Sequence, residues 1–164
     1  PYTTLFRSIG GVTKSAAQCA VLDYTMAASS GTFTPITGGT ALSTISVDEA
    51  LSPATDIGFS FKYLNRTYAK FFVSSNGYVS FESVTGASTT LTTVNKPVIA
   101  PLIGDLSGVG GTASYVVTGT APNRVLTVEW LNWKWLFNNV FIDRTVSFFR
   151  FIRRKNETVT IEFI

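Results

Sequence analysis

The chemistry open to this chain is bounded by its side chains. There is no histidine, which removes Ser-His and Cys-His dyads and histidine metal sites. What remains for acid–base work is a carboxylate pair of the kind glycosidases use. Such a pair must stand roughly 5–9.5 Å apart in a cleft. Glu129 and Glu162 sit in strand-like segments flanked by apolar residues and could face each other. The plainer reading points both outward from half-exposed strands. Nothing requires a cleft between them, so the chain is expected not to be an enzyme. Calcium is the other chemistry to weigh, and it takes six to eight oxygens. Asp105, with Asp48, Glu49, Asp56 and loop carbonyls, could supply them. No Asp-rich loop gathers these acids, so no cofactor is expected. Ca²⁺ near Asp105 stands as the one candidate, beside the reading of Asp105 as a turn cap.

Three tryptophans lie close together at Trp130, Trp133 and Trp135. Flat aromatic faces suit stacking on sugars or aromatic partners, and tryptophan is enriched at binding hot spots. Large aromatics also fill sandwich cores. Trp130 is assigned to the core, while Trp133 and Trp135 are the candidate ligand-binding residues. The net charge is +3, with basic residues gathered at Arg150, Arg153, Arg154 and Lys155. This cluster reads as a strand end and a turn at Asn156. It does not interleave with aromatics, so no nucleic-acid partner is expected. Cys19 is the single cysteine, which rules out an intrachain disulfide. No apolar run reaches the roughly 20 residues of a membrane-spanning helix, and no membrane insertion is expected.

The elements that must position these residues are strands. Thirteen Phe, six Tyr and three Trp in 164 residues, with 14% charged residues, favour pleated structure over helix. Phe72 to Phe81 places two apolar segments around Asn76-Gly77. This dipeptide suits the type I′ turn that joins twisted antiparallel strands. Ile57, Phe59, Phe61 and Tyr63 alternate with small or polar residues, the period of a strand with one buried face. Asn65-Arg66 ends that strand. Further strands are predicted over 24–28, 32–36, 67–75, 77–83, 97–103, 113–117, 124–135, 145–153 and 158–164. Pro101 confines its strand to an edge or a bulge. The 84–96 loop is near the upper length for a compact domain. Many short strands between turn signals predict an all-β, antiparallel, jelly-roll-like β-sandwich with little or no helix.

The longest strand changes phase. Leu126, Val128 and Trp130 share one parity, and Trp133, Trp135 and Phe137 the other. A bulge near Leu131-Asn132 would return both groups to one face. Phe148, Phe149 and Phe151 carry a similar ambiguity. Residues 1–8 look like a translated sequencing adapter and are set outside the fold. Residues 9–22 read as linker and 23–164 as one sandwich domain, expected to be truncated at its C-terminal strand.

Several segments occur in a familiar order: Gly31 to Gly39, Ile57 to Phe61, Val73 to Phe81, Val98 to Leu102, and Ala121 to Trp133. From about Tyr24 onward the chain resembles the β-sandwich domains of large secreted proteins of Gram-negative bacteria that use type IX secretion. It is more loosely similar to the nidogen-like domain of extracellular adhesion proteins. That group shares the Asn-Gly turn and an Ala-Pro strand followed by an acid, here Asp105. Ile103-Gly104 stands where the bacterial group more often has an aromatic and a second acid. The resemblance implies a secreted or cell-surface, non-catalytic adhesion or structural module of a larger protein. The alternative is a carbohydrate-binding module accessory to a secreted enzyme. The implied partner is an extracellular protein or polysaccharide, and no catalytic residue carries over.

Overall fold

The computed structural model describes residues 33–162, apart from 65, 92, 93, 95, 138, 139, 149 and 154–158, with side chains as far as 135. The adapter-like segment, the linker, Cys19, the strand over 24–28 and the Arg154, Lys155 and Asn156 positions lie outside the described residues.

Eleven strands are described: β1 (Thr40–Ala41), β2 (Thr55–Tyr63), β3 (Arg66–Val73), β4 (Val79–Ser80), β5 (Val98–Ile99), β6 (Leu106–Ser107), β7 (Thr112–Thr118), β8 (Val125–Phe137), β9 (Val140–Phe148), β10 (Arg150–Arg153) and β11 (Val159–Glu162). One sheet has the order β1-β7-β8-β6, with β9 also on β8; another runs β2-β3-β4-β5; β10 and β11 pair with each other. All described pairings are antiparallel. The only described helix is a 3-10 turn at Ser43–Ile45. The expected antiparallel β-sandwich is therefore the observed fold. The chain crosses between sheets after β1 and again after β5, while β2–β5 follow one another as a meander.

Apolar side chains of both sheets meet between them. Ile57, Phe59, Phe61, Phe71 and Val73 from one pack with Leu126, Val128, Trp130 and Trp133 from the other. Phe71 meets Tyr115 edge-on across the layers, with ring centroids 5.3 Å apart. On β2 the alternation holds: Ile57, Phe59 and Phe61 are buried while Asp56, Gly58 and Ser60 are exposed. The β2–β3 register slips between Asp56 and Phe61, where Gly58 takes φ +79. Glycine suits this irregularity because it has no Cβ to resist the left-handed region.

The bulge expected in β8 is present. Its pairing with β7 is regular from Val125 to Leu131, but its pairing with β9 slips between Trp130 and Trp133. Asn132 absorbs the extra residue at φ +59. Asparagine tolerates this region better than most side chains. Both Trp130 and Trp133 consequently face inward and are fully buried.

Three local expectations are corrected. The Asn76-Gly77 hairpin is not a type I′ turn. Gly77 N–H donates to Ser74 O at 3.2 Å and Ser74 N–H to Tyr78 O at 2.9 Å. Gly77 alone takes the left-handed conformation, φ +74, while Asn76 keeps a negative φ. This is a three-residue loop, a type I turn closed by a glycine bulge. The strand predicted over 97–103 shrinks to β5, Val98–Ile99. Pro97 and Pro101 bracket it and cannot donate to a ladder, and β5 does lie at a sheet edge. Residues 33–36, expected in a strand, are not in one.

Candidate functional site

The Ser74–Gly77 hairpin is buried rather than exposed, and the loops at its end of the sandwich converge on it. Ser74, Ser75 and Asn76 have no exposure. Carbonyl groups in a buried turn need donors, and the indoles of β8 provide them. Trp130 Nε1–H donates to Ser74 O at 3.0 Å and Trp133 Nε1–H to Ser75 O at 2.7 Å. The Asn76 amide is used on both sides. Its Oδ1 accepts from Leu106 N–H at 2.9 Å; its Nδ2 donates to Glu49 Oε1 and to Ala87 O, each at 3.2 Å. Ser75 is tied to Ala50 twice: Ser75 N–H donates to Ala50 O at 2.8 Å and Ala50 N–H to Ser75 Oγ at 2.9 Å. One hairpin thus holds the 46–52 loop, the start of the 84–96 loop and the approach to β6.

That convergence draws three acids together. The carboxylate oxygens of Asp48, Glu49 and Asp105 all lie within 4.8 Å of one another. Asp48 and Glu49 are exposed and Asp105 is half-buried. Three like charges this close repel, and a cation of oxygen-binding type would offset the repulsion. The three side chains offer three of the six to eight oxygens calcium takes; carbonyls or water would supply the rest. Glu49 holds its place at φ +50. Of the acids considered from sequence, Asp56 lies elsewhere, in an exposed 2.8 Å pair with Lys70 on β3.

The two tryptophans considered for ligand binding part company. Trp133 is enclosed by the core and bonded at its nitrogen, so it presents no face to a ligand; the phase shift in β8 is the reason. Trp135 is half-buried and packs against the core edge. Its ring lies over Gly104, where an added Cβ would sit 3.1 Å from it. Glu129 is also corrected. It lies on the outer face of β8 but is buried there rather than half-exposed, and Oε2 accepts from Ile36 N–H at 2.8 Å. Residues preceding β1 thus cover the outer face of β8. The Glu162 side chain lies outside the described residues, as do those of Arg150 and Arg153. Asp105, Asn76 and Gly77 are all in the convergent region.

Two features had no signal in the sequence. A cleft of about 180 Å³ opens under the 84–96 loop, lined by Tyr78, Val84, Thr85, Ser88, Val94 and Lys96 among others. It is smaller than the roughly 300–1,000 Å³ of typical small-molecule sites. Beside it, Glu82 lies between Arg66 at 3.2 Å and Lys96 at 3.7 Å. Near these charges the buried Tyr68 Oη has no hydrogen-bond partner within bonding geometry among the described residues. Burial pushes the phenol pKa up and the Glu82 carboxylate adds to this, while the Arg66 guanidinium pulls the other way.

No curated protein and no solved structure matches the chain. The family described as NIDO related, the nidogen-related domains, matches residues 23–162. That span takes in both sheets, the buried hairpin and the acidic trio, and the chain belongs to this family of extracellular structural modules.

Proposed function

We propose that this chain is a non-catalytic adhesion or structural module of a larger secreted or cell-surface bacterial protein, of the kind exported by type IX secretion. The carrying observation is the nidogen-related match over 23–162 on a sandwich in which Glu129 and Asn76, both buried, serve its own architecture. Glu129, half of the carboxylate pair that glycosidase chemistry would use, commits its carboxylate to Ile36 N–H. Asn76 divides its amide between two loops and the start of β6. Groups so engaged support a scaffold reading, because acid–base catalysis needs a carboxyl within reach of a substrate. The partner is an extracellular protein or a polysaccharide. The half-buried ring of Trp135 favours the second reading, a carbohydrate-binding module.

The test is retention of the immobilised chain on arrays of extracellular proteins and glycans, with hydrolysis of the same glycans followed in parallel. Saturable protein binding without hydrolysis is the expected result. Glycan binding that quenches tryptophan fluorescence and is lost in Trp135→Ala would favour the carbohydrate module. Glycan cleavage abolished by Glu129→Gln would overturn the proposal.

A further inference from the structure

Asn76-Gly77 is the only Asn-Gly dipeptide in the chain, and this pairing has a chemistry of its own. A glycine after asparagine leaves its backbone nitrogen unobstructed. On losing its proton, the Gly77 nitrogen can attack Cγ of Asn76. The Cγ–Nδ2 bond breaks, ammonia leaves with the displaced proton, and a five-membered succinimide closes. Water then opens the ring. Breaking the N–Cγ bond gives aspartate. Breaking the bond from that nitrogen to the main-chain carbonyl carbon of residue 76 gives isoaspartate, which runs the backbone through the side chain.

The fold opposes every step. Attack requires the Asn76 amide to rotate over the Gly77 nitrogen. That amide is held by Leu106 N–H at Oδ1 and by Glu49 and Ala87 at Nδ2. The Gly77 N–H is itself donated to Ser74 O. Asn76 has no exposure, so the water needed to open the ring is kept out. In an opened chain all these restraints vanish together.

We propose that Asn76-Gly77 is a latent deamidation site, which the folded sandwich holds inert and which reacts once the hairpin opens, so that unfolding leaves a permanent chemical mark. The product cannot resume its place. An aspartate side chain at this position has no amide hydrogens for Glu49 Oε1 or Ala87 O, and sets a carboxylate against both. Isoaspartate inserts the Asn76 Cβ into the main chain of a fully buried turn, and the neighbouring Gly77 is itself packed against Leu102.

The test incubates the full chain at mildly alkaline pH, folded in buffer and unfolded in urea. Conversion at residue 76 is read by peptide mass spectrometry and by isoaspartyl methyltransferase labelling. Reaction through the open state alone makes the folded rate the unfolded rate times the open fraction. The expected slowing is on the order of 10³-fold or more. Comparable rates in the two states overturn the proposal. Second, Asn76→Asp is expected to lower the urea midpoint or prevent refolding. Adding Glu49→Gln to Asn76→Asp is expected to recover part of the loss, because the glutamine amide can donate to the new carboxylate. An Asn76→Asp chain with an unchanged midpoint would overturn the claim that the product is excluded from the fold.

Discussion

Replacing Trp133 by phenylalanine separates the two tasks of its indole. The ring fills a fully buried place on the core side of β8, and its nitrogen donates to Ser75 O at 2.7 Å. Phenylalanine keeps most of the apolar contact but leaves the Ser75 carbonyl without that donor. A buried acceptor left unpaired costs about 1–3 kcal/mol. The smaller ring adds about 1 kcal/mol for imperfect filling. The expected loss is roughly 2–4 kcal/mol, a large share of the roughly 5–15 kcal/mol that holds a domain together. Urea denaturation reads it as a lower midpoint with an unchanged slope, because the surface exposed on unfolding is the same. Trp135→Phe is the control; its ring is half-buried and its effect should stay below about 1.5 kcal/mol. Equal small losses in both variants would refute the argument that the β8 bulge turns Trp133 inward to brace the hairpin.

Three further outcomes follow. Tyr68→Phe removes a buried hydroxyl that has no partner among the described residues and should leave stability at neutral pH unchanged or raise it by about 1 kcal/mol in thermal melts. The Tyr68 phenol is raised in the folded state by burial and Glu82, so its contribution is complete below the unfolded value near 10 and lost as pH climbs through the higher folded value. Wild type should therefore lose stability at alkaline pH more steeply than Tyr68→Phe. Glu129→Ala frees Ile36 N–H; it should cost about 1.5–3 kcal/mol and speed hydrogen exchange at that amide relative to Glu129→Gln. Asp105→Asn takes one charge from the acidic trio. In the presence of a chelator at low ionic strength it should stabilise the chain by about 0.5–1 kcal/mol, and added salt should erase the difference.

The sandwich was legible because its signals are local. The alternation from Ile57 to Tyr63 needs only a one-sided core. The parity break between Trp130 and Trp133 announces a bulge, since burying two indoles stabilises more than a regular ladder. The turn type at Asn76-Gly77 was not legible, because the dipeptide fits two hairpin geometries and only the surroundings choose. Nor was its burial, because Asn-Gly ordinarily marks a surface. Asp48, Glu49 and Asp105 were weighed together with Asp56, which stands apart on β2 beside Lys70, and nothing in the sequence signalled that the other three meet. Their wide separation along the chain is closed by Asn76, which grips Glu49 on one side and Leu106 on the other. Glu129 misled because outward parity on a strand says nothing about what later lies over it, here the chain around Ile36.

The paired indole bonds have a mechanical consequence. Stacked sheets adhere through greasy contacts that resist separation but permit sliding. Here two directional bonds run from nearby positions on β8 to successive carbonyls of the opposite hairpin, like rivets through two plates. A pull that would shear one layer past the other must break both at once. A tether built from such plates yields abruptly under load, without creeping first.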